Sequence, residues 1–196
     1  MGYGVSAYAV DISTLEAELG SGNAGLADRY AATFAGDLFQ EVAADTSLTP
    51  ADVARHMILG EPRDESVPHL YGYFFQHMCA TRGRRLDDTS WTPVRVAFPE
   101  QLDELLAREN IALPNGFTIE GLIFGGPPVD LPTTDFPAVG YTPHADLKPA
   151  ADALAVVGLL SDRDDIDPVL TGALYDVFQW LSDAHDDGTD LVTFFS

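Results

Sequence analysis

The two ends of the chain limit its fold more than any other feature, because both are typical of internal β-strands. YGVSAYAVDI at 3–12 and LVTFF at 191–195 are rich in aromatic, β-branched and small residues. Apolar residues lie on both faces of each segment, as in strands that have neighbours on either side. FTIEGLIF at 117–124 predicts a further strand, and shorter strands are predicted at 92–98 and near 138–141. We expect the two terminal strands and the 117–124 strand to share one sheet.

Much of the remaining chain has apolar residues at helical spacing, with capping residues at the predicted starts. A chain of 196 residues, 46% of them hydrophobic, is long enough for one domain with one core. The sequence therefore predicts a single α+β domain over 1–196, with an antiparallel or mixed sheet packed by several amphipathic helices. Helices are predicted over about 24–44, 50–60, 67–81 and 168–184, and further helices are expected to begin at Ser13, Pro99 and Thr142.

The charge balance excludes one class of function. The chain has 31 Asp and Glu residues against 10 Lys and Arg residues, for a net charge of −21. Unassisted nucleic-acid binding requires clustered cations, so we expect no nucleic-acid partner. No apolar run of about 18 residues and no signal-peptide pattern occurs, which predicts a cytoplasmic protein with no membrane association. The lone Cys79 is expected to be buried, and the oligomeric state stays open.

The acidic side chains are expected on the outer faces of helices, where they create a strong negative potential. The function that we expect first is non-enzymatic binding of a cationic macromolecular partner, for example a basic protein whose nucleic-acid-binding surface is masked. Solubility alone also explains such a surface, and this alternative stays open. The acidic residues concerned are Asp28, Asp37, Glu41, Asp45, Asp183, Asp186 and Asp187.

The longest predicted loop, at 125–143, is the region where a small-molecule site is expected. It is rich in proline and glycine, and long loops in compact domains are often functional. Tyr141 and His144 follow the glycine-proline segment, and Asp130 and Asp135 lie within it. The alternative function is therefore a small-molecule enzyme or ligand-binding domain that uses these four residues. A structural turn locked by the prolines is the simpler interpretation of the loop.

No motif in the sequence specifies catalytic chemistry, a cofactor or a metal. His69, Tyr73 and His77 share one face of a predicted helix, but the two histidines are two turns, about 12 Å, apart. That separation is too large for one metal ion, so we expect no metal site. Nucleophile-elbow and phosphate-binding motifs are absent, which predicts no cofactor and leaves enzymatic activity open. The basic cluster of Arg82, Arg84 and Arg85 is interpreted as a solvated helix end, with anion binding as the alternative.

A series of short motifs occurs in a characteristic order along nearly the whole chain. They are Tyr8 and Val10 in the first strand, Leu59-Gly60, Gly125-Gly126-Pro127-Pro128, Gly140-Tyr141-Thr142-Pro143 and the closing LVTFFS. In this order they resemble the YfbM-like family of small bacterial proteins of unassigned function. The segment between Gly60 and Phe117 departs from the family pattern, which suggests a diverged, actinobacterial-type branch. The resemblance implies an α+β fold with an antiparallel or mixed sheet, and it implies no catalytic residues.

Overall fold

A computed structural model describes residues 2–43, 46–132, 134–160 and 163–196, so Asp45 of the predicted acidic set lies outside the described residues. Short 3₁₀ turns occur at Thr89–Trp91, Pro114–Gly116 and Ala155–Leu159. The strands and helices, in chain order, are β1 (Val5–Val10), α1 (Ile12–Glu18), α2 (Ala24–Phe34), α3 (Asp37–Val42), α4 (Pro50–Ala54), a π-helical turn (Arg55–Leu59), α5 (Pro68–Arg82), β2 (Arg84–Arg85), α6 (Phe98–Arg108), α7 (Ile119–Phe124), β3 (Ala138–Thr142), α8 (His144–Leu154), α9 (Pro168–Asp186) and β4 (Asp190–Phe195).

The described residues form two compact units. Residues 2–10, 83–127 and 138–196 form the sheet unit, and residues 11–82 and 128–137 form the helical unit. The expectation of a single domain over the whole chain stays a prediction. In the part of the chain that the structure describes, no helix is both long enough and apolar enough to cross a membrane.

The sheet unit contains four antiparallel strands in the order β2, β1, β4, β3. β4 pairs on both sides, so Phe195 lies opposite Val5 of β1 and opposite Ala138 of β3. β1 lies between β2 and β4, which confirms the internal positions that the sequence predicts for both terminal strands. The predicted α+β class, with an antiparallel sheet that includes both ends of the chain, is also confirmed.

The predicted strand at 117–124 is wrong, because most of this segment forms α7. The Thr118 hydroxyl accepts a hydrogen bond from Gly121 N–H at 2.8 Å, and the Asp103 carboxylate accepts one from Ile119 N–H at 2.8 Å. These side chains satisfy amides that a helix start leaves without partners. A short apolar run is compatible with a buried helix as well as with a strand. In this segment the capping hydrogen bonds favour the helix. β3 takes the expected place of this segment in the sheet.

Two other sequence predictions are wrong in part. The predicted strand at 92–98 is reduced to one bridge, in which Tyr3 and Val94 exchange backbone hydrogen bonds of 2.8 and 2.9 Å. Pro93 has no N–H to extend the pairing, and α6 already begins at Phe98. The predicted helix at 24–44 is divided into α2 and α3, because Gly36 adopts an extended conformation (φ −76°, ψ −165°).

Gly140 lets α7 lie directly against the sheet. A Cβ atom at this position would lie 1.7 Å from the carbonyl oxygen of Leu122 in α7, so a side chain does not fit. Thr193 pairs with Gly140 across β3 and β4, is fully buried, and donates its hydroxyl to the same Leu122 oxygen at 2.7 Å. The close contact and the hydrogen bond together fix α7 on the sheet.

The helical unit packs around α5, which confirms the predicted aromatic helix at 67–81. Phe74 of α5 contacts Tyr30 and Phe34 of α2 edge to face, with ring centroids 5.7 and 5.2 Å apart. Cys79 is fully buried as expected, and burial raises the pKa of its thiol. α5 therefore forms the centre of this unit, and its buried side chains reach the segments that line the candidate site.

Candidate functional site

The π-helical turn at Arg55–Leu59 is the most unusual backbone feature of the helical unit. Such turns are rare and occur frequently at functional sites. The loop after α1 satisfies two of its carbonyl oxygens: Gly20 N–H donates to Met57 O at 2.9 Å, and Gly22 N–H donates to Ile58 O at 3.0 Å. Gly20 and Gly22 have φ angles of 64° and 72°, which glycine adopts without steric cost. The two glycines therefore support the widened turn.

The turn places His56 beside Tyr71, a fully buried residue of α5. The Tyr71 hydroxyl oxygen is 2.8 Å from His56 Nδ1 and accepts the backbone N–H of Asp64 at 2.6 Å. Because that N–H can only donate, the hydroxyl hydrogen is available for Nδ1. When Nδ1 accepts it, the ring hydrogen of neutral His56 lies on Nε2. Burial raises the pKa of Tyr71, which keeps its hydroxyl protonated as a donor.

His56 Nε2 has no hydrogen-bond partner among the residues that the structure describes. One nitrogen of the ring is thus held by the protein, and the other is available to a ligand. This arrangement resembles the way in which a functional imidazole is oriented through the nitrogen that does not react.

The loop between the π turn and α5 is held by its own side chains. Arg55 and Glu61 form an ion pair of 2.7 Å across Gly60, whose φ of 72° ends the π turn. The Asp64 carboxylate accepts hydrogen bonds from the hydroxyl of Ser66 at 2.6 Å and from its backbone N–H at 2.9 Å. These hydrogen bonds lower the pKa of Asp64, so its carboxylate is charged at neutral pH. The loop is therefore ordered at the point where it donates to Tyr71.

The 128–137 segment brings Asp130 to the same region. Arg63 Nη1 lies 3.4 Å from Asp130 Oδ2, a long ion pair in which the Asp130 side chain is almost fully exposed. Further along, Pro137 packs on α5 at Gly72, where an added Cβ atom would lie 3.0 Å from the proline ring. The absence of a side chain at Gly72 therefore lets this segment lie against α5.

These segments line an open surface cleft of about 550 Å³, which we call the His56 cleft. Its volume lies within the roughly 300–1,000 Å³ range of small-molecule pockets. An adjoining depression of about 380 Å³ shares Arg63, Glu65 and Asp130 with it. The polar side chains that line the cleft are His56, Glu61, Arg63, Glu65 and Asp130.

The four ligand residues predicted from the sequence belong to both units. Asp130 lines the His56 cleft, and Asp135 is an exposed residue of the same segment. Tyr141 and His144 belong to the sheet unit, where both contact Asp190: its Oδ1 atom accepts the His144 N–H at 2.9 Å and lies 3.5 Å from the Tyr141 hydroxyl. The structure thus brings Tyr141 and His144 together, and it places Asp130 beside residues that the sequence did not single out.

Tyr141 lines a second, smaller cleft of about 180 Å³ in the sheet unit, together with Thr118 and Asp146. His144 instead stacks on His185, with ring centroids 4.9 Å apart, and its Nε2 is 3.2 Å from the His185 carbonyl oxygen. Two sides of the His144 ring are therefore occupied by protein atoms. The His56 cleft is the larger of the two, and it is the one that a histidine lines.

The predicted histidine face of α5 has other roles. His69 Nε2 lies 3.0 Å from the carbonyl oxygen of Val42, and His77 Nε2 lies 2.8 Å from the hydroxyl of Thr33. Burial lowers the pKa of His77. Within the described ranges, no group of three or more His, Cys, Asp and Glu residues is arranged to hold a metal ion.

The arginine cluster is engaged within the protein. Arg82 ends α5 and pairs with Glu18, whereas Arg84 and Arg85 form β2. Arg84 pairs with Asp187, the C-cap residue of α9, at 2.7 Å, and Arg85 pairs with Asp88 at 2.8 Å. The interpretation as a solvated helix end therefore applies to Arg82 alone.

Sequence analysis missed His56, Arg63 and Tyr71. His56 lies within the helix predicted at 50–60, and no pattern of residues in that segment predicts that its last turn is π-helical. Tyr71 lies within the predicted helix at 67–81, and the partners of its hydroxyl are 7 and 15 residues away along the chain. The one feature of the sequence that pointed to this site was the long loop at 125–143, which contains Asp130.

The structure thus shows an α+β architecture with an antiparallel sheet, and a surface cleft in the helical unit that His56 lines. Residues 1–196 match the family described as Domain of unknown function (DUF7691), and the chain belongs to that family. No curated protein and no solved structure matches the chain. The resemblance to the YfbM-like family stays a prediction.

Replacing Tyr71 by phenylalanine tests the hydrogen bonds that hold His56. We expect Tyr71→Phe to lower the free energy of unfolding by about 1–3 kcal/mol, because the Asp64 N–H and His56 Nδ1 both lose a buried partner. Urea denaturation measures this change. Tyr175→Phe is the matched control, because Tyr175 is 49% exposed, and a change within about 0.5 kcal/mol is expected there. Equal stability of the two variants would contradict the assigned role of Tyr71.

Proposed function

We propose that this protein is a ligand-binding domain and that the His56 cleft binds a small zwitterionic ligand, such as a free amino acid. The observation that carries the proposal is the oriented imidazole of His56, whose Nε2 has no partner among the described residues of a cleft of about 550 Å³. A site of this kind needs only a few convergent polar groups to fix the orientation of a ligand. Asp130 of the long loop is one of these groups, in keeping with the small-molecule function expected from the sequence.

The charges around the cleft support a ligand that carries both signs. His56 Nε2–H and the partly exposed guanidinium of Arg63 are donors that suit a carboxylate. Glu65 and Asp130 are exposed acceptors that suit an ammonium group. Arg63 and Asp130 are held only by a 3.4 Å contact, so a ligand can replace that contact with shorter bonds to its own charged groups.

Calorimetric titration with the twenty free amino acids tests this function. We expect at least one amino acid to bind, and we expect acetate and methylamine, which each carry half of the zwitterion, to bind more weakly. Arg63→Gln and His56→Ala should each weaken binding about tenfold or more, because each removes a charge-assisted or oriented hydrogen bond of roughly 1.5–3 kcal/mol.

Arg95→Gln is the matched control for that titration. Arg95 is an exposed residue that does not line the cleft, so its replacement should leave amino-acid binding unchanged. Circular dichroism shows whether each variant is folded before its affinity is compared. Absence of binding by every amino acid, or equal affinities for the Arg63 variant and the control, would overturn the proposal.

A second candidate function is the binding of a cationic macromolecule, as expected from the net charge. Its support is that eight of the ten basic residues already pair with carboxylates of the same chain, so the negative excess is not offset at the surface. In the described chain, only Arg29 and Arg95 lack such an ion pair. This candidate places the protein in the bacterial cytoplasm, beside a basic protein partner.

Salt dependence tests the second candidate. A pull-down from a lysate of the native cells should retain one specific basic protein at about 0.05 M salt and release it at about 0.5 M, because the Debye length falls well below 10 Å. An unrelated bait of similar negative charge is the control. Recovery of only polyamines and general cationic proteins, or the same proteins on both baits, would leave the charge as a solubility feature.

A further inference from the structure

One pocket of the helical unit is cationic although the chain as a whole is strongly acidic. It has a volume of about 260 Å³ and is formed by residues of α2 and the last turn of α5. Two arginines, Arg29 and Arg82, line it, and no carboxylate does. We call it the Arg29 pocket, and it shares no lining residue with the His56 cleft.

Arg29 is the first unusual member of this pocket. It is exposed on α2, and no described carboxylate lies within ion-pair distance of its guanidinium. In a chain with 31 acidic residues, most cations acquire an internal partner, as eight of the ten have done. Arg29 is therefore available to an anion from outside the chain.

Arg82 is exposed, and its guanidinium is held by a small network of hydrogen bonds with Glu18 and Tyr30. Its guanidinium pairs with Glu18, and its Nε donates to the Tyr30 hydroxyl at 3.2 Å. Tyr30 in turn donates to Glu18 at 2.6 Å, and its burial raises the pKa of this hydroxyl. Nη1 of Arg82 has no hydrogen-bond partner in the described part of the chain. Holding the guanidinium in advance reduces the entropy cost of binding an anion.

The rest of the pocket wall is largely apolar. Besides the two arginines, it is formed by Leu26, Tyr30, Thr33 and Thr81. The hydroxyls of both threonines are already engaged with His77, one with its ring and one with its carbonyl oxygen, each at 2.8 Å. The pocket thus combines guanidinium groups with an apolar wall that includes an aromatic ring.

We propose that the Arg29 pocket is a second binding site, specific for a small aromatic monocarboxylate. The carboxylate would accept hydrogen bonds from Arg29 and from the free Nη1 of Arg82, and the ring would pack against Leu26 and Tyr30. The volume is sufficient, because a cavity of about 150 Å³ already holds benzene. This site does not depend on the function proposed for the His56 cleft.

Titration with benzoate tests this inference, with the Arg Nε–H signals followed by NMR. Benzoate should bind and shift the Arg82 signal, whereas benzamide and benzylamine, which lack the negative charge, should bind at least tenfold more weakly. Arg29→Gln should reduce the benzoate affinity about tenfold. Arg95→Gln is the matched control, because Arg95 is also exposed and unpaired among the described residues, and it should leave the affinity unchanged.

Several results would overturn this inference. They are absence of benzoate binding, equal affinities of the Arg29 and Arg95 variants, equal binding of benzamide, and tighter binding of inorganic phosphate than of benzoate, since phosphate has no apolar body. His56→Ala should leave benzoate binding intact. Loss of benzoate binding in that variant would show that benzoate occupies the His56 cleft instead.

Discussion

The hydroxyl group of Tyr71 is the contact on which the organisation of the helical unit depends. It joins α5, on which Tyr71 lies, to the π-helical turn through His56 and to the 60–67 loop through the Asp64 N–H. Tyr71 itself is fully buried, and leaving a buried polar group unsatisfied costs more than its hydrogen bond contributes. The orientation of the His56 ring is therefore fixed by a contact with the buried helix α5. The Tyr71 hydroxyl engages Nδ1 of the imidazole, so Nε2 is the ring nitrogen without a partner among the described residues.

The sequence predicted the framework of the sheet better than its details. Segments 3–12 and 191–195 were recognised as internal strands because both faces are apolar, and both pair on two sides in the structure. The 117–124 segment was misassigned because its apolar residues fit either structure, and the deciding contact comes from the distant Asp103. Its place in the sheet is taken by β3, which the sequence predicts as a short strand near 138–141. The local sequence pattern was therefore sufficient to predict the two terminal strands. The structure of the 117–124 segment depends on a contact with a residue distant in the sequence.

The candidate site was predictable only in part, for the same reason. Asp130 was found because long proline-rich loops are uncommon inside compact proteins, and it lines the cleft. His56 and Tyr71 carry no local signal, because their hydrogen bond joins residues that are 15 positions apart through a turn that departs from α-helical geometry. Tyr141 and His144 were predicted from the same loop but belong to the sheet unit, where Asp190 holds them. Proximity in the sequence therefore grouped residues that the fold assigns to different units.

Long-range ¹H–¹⁵N spectra of the His56 ring measure directly whether Tyr71 prepares Nε2 for a ligand. In the free protein, neutral His56 should carry its hydrogen on Nε2, because the Tyr71 hydroxyl donates to Nδ1. Addition of an amino acid that binds should then shift the Nε2 signal much more than the Nδ1 signal. A neutral ring with its hydrogen on Nδ1, or an Nε2 signal that no amino acid changes, would contradict the central role of this imidazole.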